Sequence, residues 1–418
     1  MRLAEGACAE AAVERLRHRG LDDDLLEPEV RRIVEDVRRR GDQAVLHYAT
    51  RWDKLPSKLA LRVTDQEMQA AWEESSPEFR KALQLAASNI RSFAEWQMPK
   101  SRMKSPGRAS TRGIGVGQIV RPLHSVGCYV PGGRYPLPSS LLMTVLAAQV
   151  AGVNEIVVVS PNPARETLAA AALLSVKSFY RVGGAQAIAA LAFGTASIPQ
   201  VHKIVGPGTR YVTLAKRLVA FDCAIDFLAG PTEVVVLSHH GNPSFIAADL
   251  VAQAEHDVDA VAIFITTSRR LAAAVKTKVT EFSLANPTAQ QSLKRHGLIM
   301  IAKSREQARQ WANAIAPEHI SVEKDDLPGI YDAGSIFVGD YSPQAVGDYC
   351  SGPNHVLPTG GSARYRGGLS VRDFLKIITI QELTPQGLDF LAEATTVLAG
   401  AEGLSAHAQS VERRFRRD

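Results

Sequence analysis

Four cysteines, Cys8, Cys128, Cys223 and Cys350, are scattered along 418 residues without a CxxC pair. That usage supports neither a disulfide framework nor a cysteine-held zinc. Any metal must therefore sit on nitrogen and oxygen ligands, a mix typical of catalytic rather than structural sites. Long apolar runs are also missing. The longest, such as 141–153, is broken by Gln149 and Gly152 and is too short for a bilayer. The first twenty residues carry scattered charge and no apolar h-region, so no secretory signal and no membrane partner are expected, and the chain reads as cytoplasmic. A net charge of +5 and a pI near 9.0 do not make it a nucleic-acid binder. The basic residues are interleaved with acids, as in 29–40, and only the tail RRFRRD is dense. A solvated surface with some attraction for an anionic cofactor explains the charge.

What is present is ordinary for a globular protein: 45% apolar and 22% charged residues, on a chain long enough for two or three domains. Residues 7–19 and 27–52 read as helices on either side of an acidic turn at 22–24, and 77–96 as another, closed by Pro99 and a polar linker. From Gly113 the texture changes to alternating strands and helices, with strands predicted at 126–130, 155–160, 179–182 and 203–205. A second such block follows Pro231, with strands at 233–237, 260–266 and 335–338. This alternation specifies mostly parallel sheets covered by helices, with ligands gathering at the carboxyl ends of the strands. After Asp373 the chain reads as helical again. The turns at Gly132 and Gly133, Gly183 and Gly184, and Gly206 to Gly208 lack the GxGxxG spacing. They serve equally as pyrophosphate cradles or as turns that need glycine.

Four clusters can carry chemistry. Gln253 and His256, in DLVAQAEHDVD, fall at i and i+3 on one predicted helical face, where an amide oxygen and an imidazole suit a cation such as zinc. A solvated helix end is the competing explanation. Glu318 and His319 follow Pro317, which stops the preceding helix and leaves an acid and an imidazole in its exit loop. The histidine can exchange protons near neutral pH, and the carboxylate can orient it or activate a water. Asp348 and His355 lie in the turn-rich GDYCSGPNH, where loop ligation and simple packing both remain open. Glu402 and His407 flank Ser405, a candidate cap of the last helix.

VGCYVPGG, RVGGAQAIAALAFGT, KIVGPGT, AGPTEVVV, AADLVAQAEHD, APEHI, GDYCSGPNHVLPT and AEGLSAHAQSV occur in this order across nearly the whole chain. As a set they resemble the histidinol dehydrogenase family. The resemblance implies an α/β fold of two incomplete Rossmann-like parallel-sheet domains with helical N- and C-terminal extensions, assembled as a domain-swapped homodimer. It divides the chain into an N-terminal helical arm (1–20), a large domain with metal and catalytic residues (21–106 and 233–372), an NAD-binding domain (107–232), and a C-terminal segment (373–418) that reaches the partner's site.

The resemblance further implies a zinc- and NAD-dependent enzyme that oxidises L-histidinol twice, through an enzyme-held aldehyde, to L-histidine. Gln253, His256, Asp348 and His407 match the family's zinc ligands, and Glu318 and His319 its general bases. Thr232, Gln253, His256, His319, Asp348, His355, Glu402 and His407 match substrate-binding positions, and Tyr129, Gln186 and Thr209 match NAD contacts. The sequence departs from the family at Thr232 (commonly serine), Thr209 (usually asparagine) and Gln344 (commonly glutamate). Arg134 adds a cation that can attract an anionic substrate. These departures leave a related dehydrogenase of another small polar alcohol, such as a sulfonated diol, as the alternative. The mixed ligand set suits manganese and cobalt as well as zinc.

Overall fold

The computed structural model describes residues 1–19, 25–56, 58–105, 107, 112–132 and 135–415. The turn expected at 22–24, Gly133, Arg134 and the last three residues of the basic tail lie outside these. Strand β1 (Arg2–Glu5) opens the chain, followed by helices Gly6–Arg17, Glu27–Arg40, Asp42–Trp52, Asp65–Glu73 and Pro77–Trp96. The helix read over 27–52 is in fact two, because Gly41 turns the chain at φ 54, a backbone state that costs glycine little. β2 (Arg102–Lys104) and β3 (Ile114–Pro122) come next. β4 (Ser125–Tyr129), β5 (Glu155–Val159), β6 (Ser178–Tyr180), β7 (Lys203–Val205) and β8 (Ala224–Ile225) alternate with helices Pro138–Ala151, Arg165–Leu173, Gly184–Phe193 and Arg210–Val219. β9 (Glu233–Leu237), β10 (Val261–Thr266), β11 (Leu298–Ile301), β12 (His319–Val322) and β13 (Ser335–Val338) form the second block. Its helices are Pro243–Ala254, Arg269–Phe282, Pro287–Arg295, Arg305–Ile315 and Gln344–Tyr349. β14 (Leu375–Leu383) precedes helices Pro385–Ala401 and Ser405–Glu412.

The chain divides into two compact units. The first, Met1–Gln97 with Leu123–Phe374, contains both parallel sheets of the α/β fold. One runs β6-β5-β4-β7-β8 and the other β1-β11-β10-β9-β12-β13. Apart from β1, each places its block's first strand in the middle with the second and fourth beside it, so the winding reverses between first and fourth. Strands such as EVVVL and VAIFIT are apolar throughout because helices cover both faces. Val235, Leu237, Ile263 and Ile265 pack with residues of Gly6–Arg17 and Arg305–Ile315. Their neighbours Val234, Val236, Ala262 and Phe264 point the other way, into Pro243–Ala254 and Arg269–Phe282. Each such aliphatic side chain contributes about 1.5–3 kcal/mol on burial.

The second unit, Met98–Pro122 with Leu375–Asp418, is an antiparallel sheet β14-β3-β2 with the last two helices. Its sequence reads as helical after Asp373, yet LKIITIQEL is a strand. The β-branched run Ile377, Ile378, Thr379 and Ile380 favours extended backbone, and the segment pairs along its whole length with β3. The N-terminal arm likewise begins as strand β1, paired with β11, before its helix starts. Among the described residues no helix is long and apolar enough to cross a membrane.

Candidate active site

Glu318 and His319 stand at the amino edge of the six-stranded sheet, and His319 is not in a loop: it is the first residue of β12, in register with Val234 of β9. Strand pairing begins at once after Pro317 because helix Arg305–Ile315 closes at Ala316 with φ 49, which redirects the chain. The Glu318 carboxylate is fixed through one oxygen. Its Oε2 accepts from Thr232 Oγ1 at 2.5 Å and from the Glu233 amide at 2.8 Å. His319 Nδ1 lies 3.2 Å from the Glu233 carbonyl and 3.6 Å from Glu318 Oε2. A ring that donates from Nδ1 to that carbonyl keeps Nε2 free to accept a proton. Nε2 faces Asp348 Oδ1 at 3.5 Å.

Burial of Glu318 pushes its pKa up to about 7, although His319 and the bonds from Thr232 and Glu233 work against the rise. For His319, burial acts to lower the pKa, but the charges of Glu318 and Asp348 outweigh it and raise it to about 9. Glu318 therefore exchanges its proton close to neutrality, whereas His319 is held in its charged form there by the two carboxylates beside it. Glu233 is itself anchored by Arg19, whose Nε reaches Glu233 Oε1 at 2.5 Å, and by the Gly360 amide at 3.1 Å.

Three of the four candidate metal ligands, Gln253, His256 and Asp348, meet the same edge. Gln253 is fully buried near the end of helix Pro243–Ala254 and donates through Nε2 to Thr232 Oγ1 at 2.6 Å. His256 does not share its helical face: the helix ends at Ala254, and His256 sits in the bend beyond, half exposed. From there its Nε2 lies 3.9 Å from Asp348 Oδ2. Asp348, in helix Gln344–Tyr349, has its pKa lowered: burial would raise it, but His319, His355 and His256 prevail. Amide oxygen, imidazole and carboxylate form the nitrogen and oxygen donor set that fits zinc. Among the described residues no three His, Cys, Asp or Glu side chains form a cation-binding group by themselves. Glu402 and His407 belong to the second unit, where both are exposed; Glu402 follows Pro385–Ala401, and Leu404 rather than Ser405 precedes the last helix.

Gln344 has a place that its sequence alone does not disclose. Its Nε2 donates to Gln253 Oε1 at 2.9 Å, while its own buried Oε1 meets no donor. A continuous path of hydrogen bonds thus runs from Gln344 through Gln253 and Thr232 to Glu318. Glu233 was equally silent, because it acts through its backbone amide and carbonyl. His355 binds the Asp348 carbonyl through Nδ1 at 2.6 Å and Ser140 Oγ through Nε2 at 3.2 Å, and burial lowers its pKa. A cavity of about 330 Å³ opens beside His319 and His355, lined also by Phe337, Tyr341, Asn354 and Leu357. That volume suits a small polar molecule.

The three candidate NAD contacts gather at the carboxyl edge of the five-stranded sheet. Tyr129, Gln186 and Thr209 line a cavity of about 680 Å³. Tyr129 ends β4, and its hydroxyl accepts from the Gly184 amide at 3.2 Å; burial raises its pKa. Thr209 precedes helix Arg210–Val219 without capping it through its side chain. The Gly206 turn is held from both sides, since Asp226 Oδ2 accepts its amide at 2.7 Å and Lys216 Nζ binds its carbonyl at 2.6 Å and Asp226 Oδ1 at 2.5 Å. With φ 115 and the Tyr129 carbonyl where a Cβ would fall, position 206 admits only glycine.

A sequence model described as histidinol dehydrogenase matches residues 16–415. The chain belongs to the histidinol dehydrogenase family. "Histidinol dehydrogenase 2" of Nostoc sp. is 42% identical over 100% of this chain and 99% of its own length. Histidinol dehydrogenase of Methanothermobacter thermautotrophicus is 44% identical over 97% of this chain and 96% of its own. The crystal structure of histidinol dehydrogenase from Elizabethkingia anophelis superposes with a TM-score of 0.93 at 34% identity, covering 99% of this chain and 98% of that one.

Proposed function

We propose that this family member oxidises L-histidinol to L-histidine in two NAD-dependent steps, the last chemistry of histidine formation. The carrying observation is the Glu318 and His319 pair, a carboxyl and an imidazole both fixed on the amino end of one strand and able to hand protons on, with Glu318 titrating near neutral pH. When bound, NAD would accept a hydride in each step, and zinc would orient the substrate's polar groups. Gln253, His256 and Asp348 would hold the metal. The chain's own residues manage the protons: His319 Nε2 takes the alcohol proton, and Glu318, pinned at Oε2, uses its other oxygen to draw a proton from the water that attacks the aldehyde. Thr232 and His355 border the substrate, while Tyr129, Gln186 and Thr209 receive the dinucleotide.

His407 and Glu402 would complete the site from the partner of a homodimer with exchanged segments. Support comes from helix Pro385–Ala401, which buries only Gly387 and Ala399 and exposes Phe390, Val397 and Leu398. An apolar surface of that kind marks an interface. In this reading 107–232 serves the cofactor, and 21–106 with 233–372 serves metal and substrate.

Purified protein with zinc and NAD should yield about two NADH per L-histidinol, one for each hydride transferred. The neutral amide of Gln344 favours one competing substrate class, because the site lacks a carboxylate there for a cationic amine. No NADH from L-histidinol, together with turnover of a sulfonated diol, would replace the first reading with that one.

A further inference from the structure

Asp53 lies far in sequence from Tyr129, Gln186 and Thr209, yet it lines the same cavity. It directly follows helix Asp42–Trp52, and its Oδ2 accepts from the Gly183 amide at 2.8 Å and from Gln186 Nε2 at 3.3 Å. Gly183 is the N-cap of helix Gly184–Phe193. An internal carboxylate therefore already satisfies a helix amide to which a ligand phosphate would otherwise be drawn. The second oxygen, Oδ1, accepts from no group among the described residues. Lys54 also lines the cavity, but no ion pair joins it to Asp53, and Glu29 adds a second carboxylate to the wall. The Gln186 amide is committed as well: Nε2 is turned to Asp53, and its buried Oε1 meets no donor. Around Asp53 and Gln186 the cavity thus presents acceptor oxygens without donors, and so calls for a neutral donor on the ligand.

We propose that Asp53 is the specificity residue for the dinucleotide, its Oδ1 accepting a ribose hydroxyl and its charge rejecting a phosphorylated ribose. The inference rests on the reading of this cavity as the NAD site. A free hydroxyl donates to the carboxylate, whereas a 2′-phosphate brings like charge against a group that cannot leave without uncapping Gly183.

The test is equilibrium binding, followed by the fluorescence of NADH and of NADPH with the zinc-loaded full chain. Wild type should bind NADH at least about tenfold more tightly than NADPH, and Asp53→Asn should lower that ratio by about tenfold, the scale of one hydrogen bond to a charged group. Asparagine keeps an acceptor for the Gly183 amide, so the melting temperature should stay near wild type. An unchanged ratio in Asp53→Asn, or a wild-type preference for NADPH, overturns the proposal. Thr209→Trp, which fills the cavity from another wall, separates the two ideas. If it abolishes NADH binding while Asp53→Asn leaves the ratio intact, only the role of Asp53 falls; if neither variant alters NADH binding, the cavity is not the dinucleotide site and both fall.

Discussion

Apart from β1 the two parallel sheets share one strand order, but they carry their candidate ligand residues at opposite edges. In the five-stranded sheet the candidate cofactor residues stand at the carboxyl ends of β4, β6 and β7, where a doubly wound sheet ordinarily binds. In the six-stranded sheet Glu318, His319 and Thr232 stand at the amino ends of β12 and β9, and its carboxyl edge is closed. There Glu323 Oε1 accepts from the His239 amide at 2.6 Å, the His240 amide at 2.9 Å and Ser238 Oγ at 2.8 Å, with Arg305 behind it at 3.1 Å from Oε2. The turn after β9 thus satisfies itself with an internal carboxylate in the place a ligand anion would take. Strand order alone does not say which edge works; the groups that occupy each turn decide it.

The comparison breaks first at His319. His319→Asn should lower turnover by about 10²- to 10⁴-fold, the range for a lost general base, while zinc content and melting temperature hold. Undiminished turnover would remove the amino edge from the chemistry altogether. Glu323→Ala should do the reverse, costing about 2–4 kcal/mol of stability, because it removes the acceptor of two amides and a hydroxyl, while Arg305 keeps Asp326, yet leaving turnover of the folded enzyme near wild type. Burial alone would raise the Glu323 pKa, but the His239 and His240 amides hold it below its ordinary value. Its contribution is therefore present above the unfolded carboxylate pKa and fades as pH falls through the folded one. In urea titrations at pH 7 and pH 3 the gap between wild type and variant should be smaller at the lower pH. A catalytic defect without a stability defect would mean that the carboxyl edge is functional after all.

Much of this arrangement is legible in the sequence because it is local. EVVVL, VAIFIT and EIVVVS announce buried strands by composition, and the glycine pairs announce turns. Glu318 and His319 stand out because they are adjacent and follow a helix-stopping proline. What stays hidden depends on contacts between distant segments. Nothing beside Asp53 points to Gly183, 130 residues away, and nothing beside Gln344 points to Gln253, 91 residues before it. Periodicity puts His256 on a helical face because it does not register that the helix ends at Ala254. LKIITIQEL lacked a visible partner, and only its pairing with β3 shows why its β-branched run is extended.

The smallest expected effect tests whether the closed edge also tolerates loss of charge. Asp249, on helix Pro243–Ala254, lines a small pocket with Ser238 and Glu323, and burial raises its pKa to about 6. A carboxyl group whose folded pKa lies above its unfolded value binds its proton more tightly in the native state. Stability then falls as pH rises from about 4 to about 6 and stays level above that. Asp249→Asn removes the charge and should stabilise the protein by about 1–2 kcal/mol at pH 8, after discounting for its partial exposure, with no gain at pH 4. Denaturant midpoints measured at both pH values would read this directly. An equal gain at both would trace the effect to packing rather than to the carboxylate, and a loss at pH 8 would show that the charge has a partner worth more than its burial costs.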